Sequence, residues 1–249
     1  MEAKVKYYLE IADNAFILSH RLSECSSNGP FLEEDLAGTN VALDLIGLAE
    51  SVYNEAAKIN GKGQSGDDLA YRRDEIDYRN CLLTEQPNTD FAFIMTRQFF
   101  MDVYNYYFFT EISKSSDEFL KAMASKSLKE VTYHLRRSSE WMIRFGGGTE
   151  ISKDKAQKAV NTLWKYTGEL FTPSPCDNEL RESRISVDLN TVKELWDQKI
   201  SEIFYLAHLT KPENNYQMIG GKSGVHSEHM GYMLAEIQFL TNKYSDAKW

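Results

Sequence analysis

Four strongly periodic helical segments open this chain, and they are joined tightly in pairs, but about 30 residues separate the second from the third. Connections inside compact helical domains are usually far shorter. Two antiparallel hairpins linked by one long crossover is the connectivity of a ferritin-like bundle, whereas a plain up-down bundle needs no such segment. The expected fold is therefore all-α: a ferritin-like four-helix bundle with additional C-terminal helices.

The individual segments are read from their apolar steps and breakers. The first runs from about Lys4 to Ser23, with Val5, Tyr8, Leu9, Ala12, Phe16 and Leu22 mostly three or four apart. Ser26-Ser27-Asn28-Gly29-Pro30 ends it, since these residues favour turns. The second spans roughly Glu33 to Ile59 and opens with Glu33, Glu34 and Asp35, where the positive helix end favours acids. From Leu36 to Ala49 it is apolar on nearly every side, which places it centrally. The third starts at Asp90 as N-cap and reaches Ser113. The fourth follows Ser115-Ser116 and stops at Gly146-Gly147-Gly148.

Beyond the bundle, Ser152 is the expected cap of a fifth helix to Phe171, which Pro173-Ser174-Pro175 terminates. A loop then runs through Cys176 to about Asp188. Asn190 caps a sixth helix to Leu209, and a seventh covers His226 to Asn242 after Gly220-Gly221. Residues 1–249 read as a single helical domain, with a core at about 4–146 and a helical extension at about 150–249.

Composition removes several function classes. A net charge of −9 argues against a phosphate-binding surface and hence against nucleic acid. Lys126, Lys129, Arg136, Arg137 and Arg144 crowd one stretch, and a solvated helix face explains them. The three cysteines, Cys25, Cys81 and Cys176, are far apart and form no CxxC pair, so they read as reduced thiols. Met1-Glu2-Ala3-Lys4 lacks a secretory profile, and the charge-free run Val103–Thr110 is too short to span a bilayer. A cytoplasmic protein without membrane contact is expected. GxSxG, P-loop and strand-linked GxGxxG patterns are absent.

Metal chemistry is the open question for such a bundle. Ferritin-like di-iron proteins take a carboxylate from the first helix of each hairpin and a Glu-x-x-His pair from the second. Here Asp13, Asp44, Asp102 and Glu130 each stand near mid-length on an apolar face of helices one to four. The histidine steps fail, because Gly47 stands three residues after Asp44 and Tyr133 three after Glu130; His134 is one residue too far. Asp102 has Asn105 at the same step. The four acids are expected to be vestigial ligand positions satisfied by Asn40, Asn105 and Tyr133, with Lys or Arg reaching in, and no metal, cofactor or catalytic residue is assigned. An active di-iron oxidase using Asp44, Asp102, Glu130 and a histidine is the alternative. His226 and His229, flanking Glu228, raise a separate metal question without an identifiable third ligand. The aromatic run Phe99, Phe100, Tyr104, Tyr106, Tyr107, Phe108 and Phe109 is expected to serve half as core and half as a contact for another helical subunit.

Several stretches carry a family likeness: Asn40-Val41-Ala42-Leu43-Asp44-Leu45-Ile46-Gly47, Glu85-Gln86-Pro87-Asn88 with Asp90-Phe91-Ala92, and Lys129-Glu130-Val131-Thr132-Tyr133-His134-Leu135-Arg136. Leu163-Trp164-Lys165-Tyr166-Thr167-Gly168-Glu169-Leu170-Phe171 and Gly224-Val225-His226-Ser227-Glu228-His229-Met230-Gly231 continue it in order. In these the chain resembles PaaC-type subunits of phenylacetyl-CoA epoxidases. The resemblance implies a ferritin-like fold and a role in aerobic phenylacetate breakdown. It also implies a separate, homologous alpha subunit that binds the di-iron centre and phenylacetyl-CoA. That complex forms a ring-1,2-epoxide with electrons from a flavin and iron–sulfur reductase. The chain would be the structural, non-catalytic partner, with a homodimer left open.

Overall fold

In the computed structural model, which describes residues 2–213 and 216–244, the first two helices are α1 (Glu2–Ser23) and α2 (Leu32–Asn60). Gly61, in the left-handed conformation at φ 66°, ends α2 and returns its amide to the Ala57 carbonyl. The crossover that follows is more structured than its composition suggests. It contains α3 (Gly66–Tyr71), a 3₁₀ turn at Glu75–Asp77 and α4 (Leu82–Glu85). Ser65 and Asp68 form a capping box on α3, each satisfying the other's backbone amide.

The second hairpin is α5 (Phe91–Ile112) and α6 (Glu118–Gly147), each capped by an aspartate, Asp90 and Asp117. α1 packs along α2, and α5 along α6; α2 also meets α6. α3 leans on α2, and α4 contacts α1 and α5, so the crossover wraps the bundle. Among the described residues there are eleven α-helices, where seven were read from the sequence, and no strand, as the periodicity predicts.

The C-terminal half differs from expectation in its boundaries. Thr149, not Ser152, caps α7 (Glu150–Leu163); the Ser152 amide donates to the Thr149 hydroxyl. Two 3₁₀ turns, Trp164–Tyr166 and Gly168–Phe171, follow where a continuing helix is predicted. Pro175 sits at the start of a further helix, α8 (Pro175–Arg181), because a proline lacking its amide costs nothing in a first turn. Asp188, not Asn190, caps α9 (Leu189–Leu206). The last predicted helix is divided at Gln238 into α10 (Glu228–Ile237) and α11 (Phe239–Lys243).

The extension covers α5, whose aromatics are thereby core. Phe99, Phe100, Tyr104, Phe108 and Phe109 are buried, and Tyr106 and Tyr107 pack partly against the core. Trp164 and Trp196 place their rings within 5.8 Å of Phe100, and the Trp196 indole donates to the Phe100 carbonyl. The expectation that half of this helix faces another subunit is thus corrected: α7 and α9 occupy that face. Close approach to the end of α9 demands Gly146, because a Cβ there would lie 1.6 Å from the Ala207 carbonyl oxygen.

Exposed apolar side chains lie elsewhere. Leu36 and Leu43 on α2 are 54% and 61% exposed, so α2 is not the fully enclosed helix its composition suggests. A helix can be apolar all round and still present one face outward when its neighbours do not encircle it. Leu32 and Phe31 extend this face, and Tyr133 on α6 is also exposed.

Candidate functional site

Asp13 stands apart from the other three acids. It is fully buried on α1 and accepts from the Tyr53 hydroxyl at 2.5 Å and the Arg79 amide at 2.7 Å. Arg73 reaches from the crossover to both of its oxygens. The guanidinium lies over the Tyr78 ring, 4.1 Å from its centroid. Burial opposes the Arg73 charge, but the adjacent Asp13 outweighs it and lifts the arginine above its ordinary value. The predicted arginine reaching in is therefore real at this position, supplied by the crossover and not by a neighbouring helical turn.

The remaining acids gather around His134 on α6. This ring is 2% exposed, and its Nε2 meets Asp44 Oδ2 at 2.9 Å. Asp44 is itself 37% exposed at its side chain, so the pair runs from the interior to the surface of α2. Asp102 on α5 is buried; Gln98, one turn earlier, donates to its Oδ1 at 2.6 Å. Burial pushes the Asp102 carboxyl up to about 6, with nearby His134 acting in the opposite sense. Glu130 is half-buried, and desolvation together with Asp44 raises its carboxyl above the ordinary range. Three buried atoms here lack partners: Gln98 Oε1, Asp102 Oδ2 and His134 Nδ1.

The predicted partners are corrected. Asn40 is exposed, Tyr133 is 44% exposed, and Asn105 faces a different internal cavity beside Tyr7 and Glu10. Gln98 and His134 take their places, because a four-residue step returns a helical side chain to nearly the same face as a three-residue one. Arg137 likewise leaves the solvated basic face: it is 9% exposed and grips Glu34 with two nitrogens.

A second group of buried charges, which periodicity gave no reason to expect, ties the crossover to the C-terminal segment. Glu85 accepts from the Ser227 amide and hydroxyl and from Asn80. His226 places Nδ1 2.6 Å from Glu85 Oε1 and Nε2 3.2 Å from the Tyr78 carbonyl. Both partners are acceptors, an arrangement that favours a proton on each ring nitrogen. Burial opposes that charge, yet the bond to Glu85 prevails and raises the His226 pKa. His226 is thus engaged by Glu85 and the Tyr78 carbonyl, and the His229 carbonyl accepts from Arg21. Glu169 repeats the design, accepting from the amides of Leu82, Gly220 and Lys222.

Glu10 completes the set. The Cys176 thiol donates to its Oε1 at 3.1 Å, and burial pushes its carboxyl up to about 7 against the pull of Lys222. Burial likewise pushes the Cys176 thiol up to about 12, the opposite of an activated nucleophile. The forewarning of these residues was that Glu85-Gln86-Pro87-Asn88, Leu163–Phe171 and Gly224–Gly231 carry the family likeness and that His226 stands beside Glu228 and His229. Periodicity could not show that these stretches touch.

Among the described residues, no group of three or more His, Cys, Asp or Glu is arranged to hold a metal ion. The donor set does not match an iron pair: the Asp13 lone pairs are taken by a guanidinium, a phenol and an amide. No described helix is long and apolar enough to cross a membrane.

The chain matches the family described as phenylacetic acid catabolic protein over residues 1–249, and it belongs to that family. It is 41% identical, over 249 residues and the full length of both chains, to an Escherichia coli (strain K12) protein named as one of the subunits of 1,2-phenylacetyl-CoA epoxidase.

Proposed function

We propose that this chain is the structural, non-catalytic subunit of a multicomponent phenylacetyl-CoA 1,2-epoxidase, packing on a homologous alpha subunit that carries the di-iron centre. The observation that carries the reading is the closure of Asp13, wholly buried inside the bundle, by internal partners. Asp13 is closed by Arg73, Tyr53 and the Arg79 amide, while Asp44 holds His134. An acid held this way positions helices instead of ligating iron. Full-length identity to a protein named as an epoxidase subunit supports the same role. The exposed α2 face of Leu32, Leu36 and Leu43 is chemically suited to burial in an assembly. In this reading the protein works in the cytoplasm.

The active-oxidase alternative draws on one specific feature, the convergence of Asp44, Asp102 and Glu130 near His134. One experiment separates the two. The chain is purified with and without a co-expressed alpha subunit from iron-supplemented cells, and iron content and phenylacetyl-CoA epoxidation are measured. The structural role predicts a stable complex, iron stoichiometric with the alpha subunit alone, and no turnover by this chain by itself. Iron bound to the isolated chain and lost on Asp102→Asn overturns it.

A further inference from the structure

A cavity of ≈ 20 Å³ lies where α1, α2 and α5 meet α8 and Lys222. A recess needs about 10–15 Å³ to admit one water, so this one has room for a single such molecule. Its lining residues are buried apart from Asn14 and Lys222, which are half-buried. Ile11, Leu48, Met101 and Phe108 make much of the wall apolar.

Two side-chain amides reach this recess from different hairpins. Asn105 on α5 is 8% exposed, and its amide meets no hydrogen-bond partner among the described residues. That amide is not sealed off: unlike the unpartnered Tyr7 hydroxyl, it keeps surface that a water can touch. Asn14 on α1 accepts from the Cys81 amide at 2.8 Å, which commits its Oδ1 and fixes the side chain this way round. Its Nδ2 is left with no partner among the described residues. Glu10, one turn earlier on α1, lines the same recess and takes the Cys176 thiol on Oε1. Amides left unpaired in a low-dielectric interior are costly, and buried polar groups are nearly always satisfied by protein or by water. Among the described residues, no side-chain hydrogen bond joins α1 to α5 directly.

We propose that this cavity binds one ordered water molecule, which accepts from Asn14 Nδ2, bonds the Asn105 amide and Glu10, and so ties α1 of the first hairpin to α5 of the second. Water suits the mixed set because it accepts from an amide nitrogen and donates to a carbonyl or carboxylate oxygen. A metal ion does not, since the uncommitted group of Asn14 is a donor with no lone pair to give. The site is separate from Asp13 and from the acids around His134, and it does not depend on the chain's role in an assembly.

The test uses the full-length chain. A high-resolution crystal structure should place a water oxygen within about 2.7–3.2 Å of both Asn14 Nδ2 and the Asn105 amide. In solution, magnetic relaxation dispersion of water counts molecules held longer than the protein tumbles. Asn105→Leu removes the amide and fills the recess, so it should lower that count by about one water at unchanged circular dichroism. A crystal that shows other internal waters but none bridging these two residues overturns the proposal, whether or not the variant folds. A folded Asn105→Leu chain with an undiminished count overturns it as well.

Discussion

Asp13→Asn is the sharpest probe of how this bundle is held, because it removes one charge and almost no volume. The carboxylate is 0% exposed and Arg73 is 9% exposed at its side chain, so neither is rescued by water in the folded state. Tyr53 and the Arg79 amide donate to different oxygens of Asp13, so Asn keeps one of these bonds in place and also removes the charge that faces Arg73. The guanidinium is then buried without a counter-charge, for which the cost is about 3–5 kcal/mol. Against a total stability of about 5–15 kcal/mol this is a large fraction. Arg73→Met should cost a similar amount by stranding Asp13. The double variant should cost far less than the sum, since two neutral side chains replace a desolvated pair. Urea unfolding of the four proteins, followed by circular dichroism, closes the cycle. If Asp13→Asn costs under ~1 kcal/mol, or the two changes add within ~0.5 kcal/mol, the buried pair is not what fixes the crossover to α1.

Other outcomes follow from the remaining buried groups. Glu10 has a folded pKa of about 7 against an ordinary 4.5, so the folded state holds its proton more tightly and stability falls as pH rises from 4.5 to 7. Glu10→Gln should remove that part of the slope and gain roughly 1–3 kcal/mol at pH 8; an unchanged slope across this window refutes it. His226 has the opposite character, a cation whose raised folded pKa stabilises below its unfolded value and is lost as pH climbs through the folded one. Hydrogen exchange of α10 amides should therefore show protection declining toward high pH beyond the intrinsic rate change, and His226→Gln should flatten that decline. Gly146→Ala should lower stability by about 2 kcal/mol or more, although alanine is the better helix former, because its methyl would strike the Ala207 carbonyl. Thermal melts check this, and a neutral result would show that α9 can shift.

Helix existence, hairpin pairing and the long crossover were legible in the residues because they depend on local chemistry. Apolar side chains at three- and four-residue steps, Asp90 before α5, and Gly61 after α2 act within a turn or two of themselves. Caps a few residues off, as at Thr149 and Asp188, reflect serine, threonine, asparagine and aspartate competing for the same amides. The same periodicity placed Asp13 and Asp102 in the interior, but Asp44 and Glu130 are only partly buried, and His134, read as one residue too far, reaches Asp44.

What each acid does was decided only in three dimensions. Asp13 is tied to residues 40 to 66 positions away, and Glu85 to residues 141 and 142 positions away. Nothing in a helical period encodes a partner at that distance. The aromatic face of α5 looked open for the same reason, since only folding brings Trp164 and Trp196 onto it. A period determines which face of a helix is apolar or acidic. Which neighbour covers that face, and whether a buried carboxylate meets a guanidinium, an imidazolium or a proton, depends on non-local packing in a low-dielectric interior.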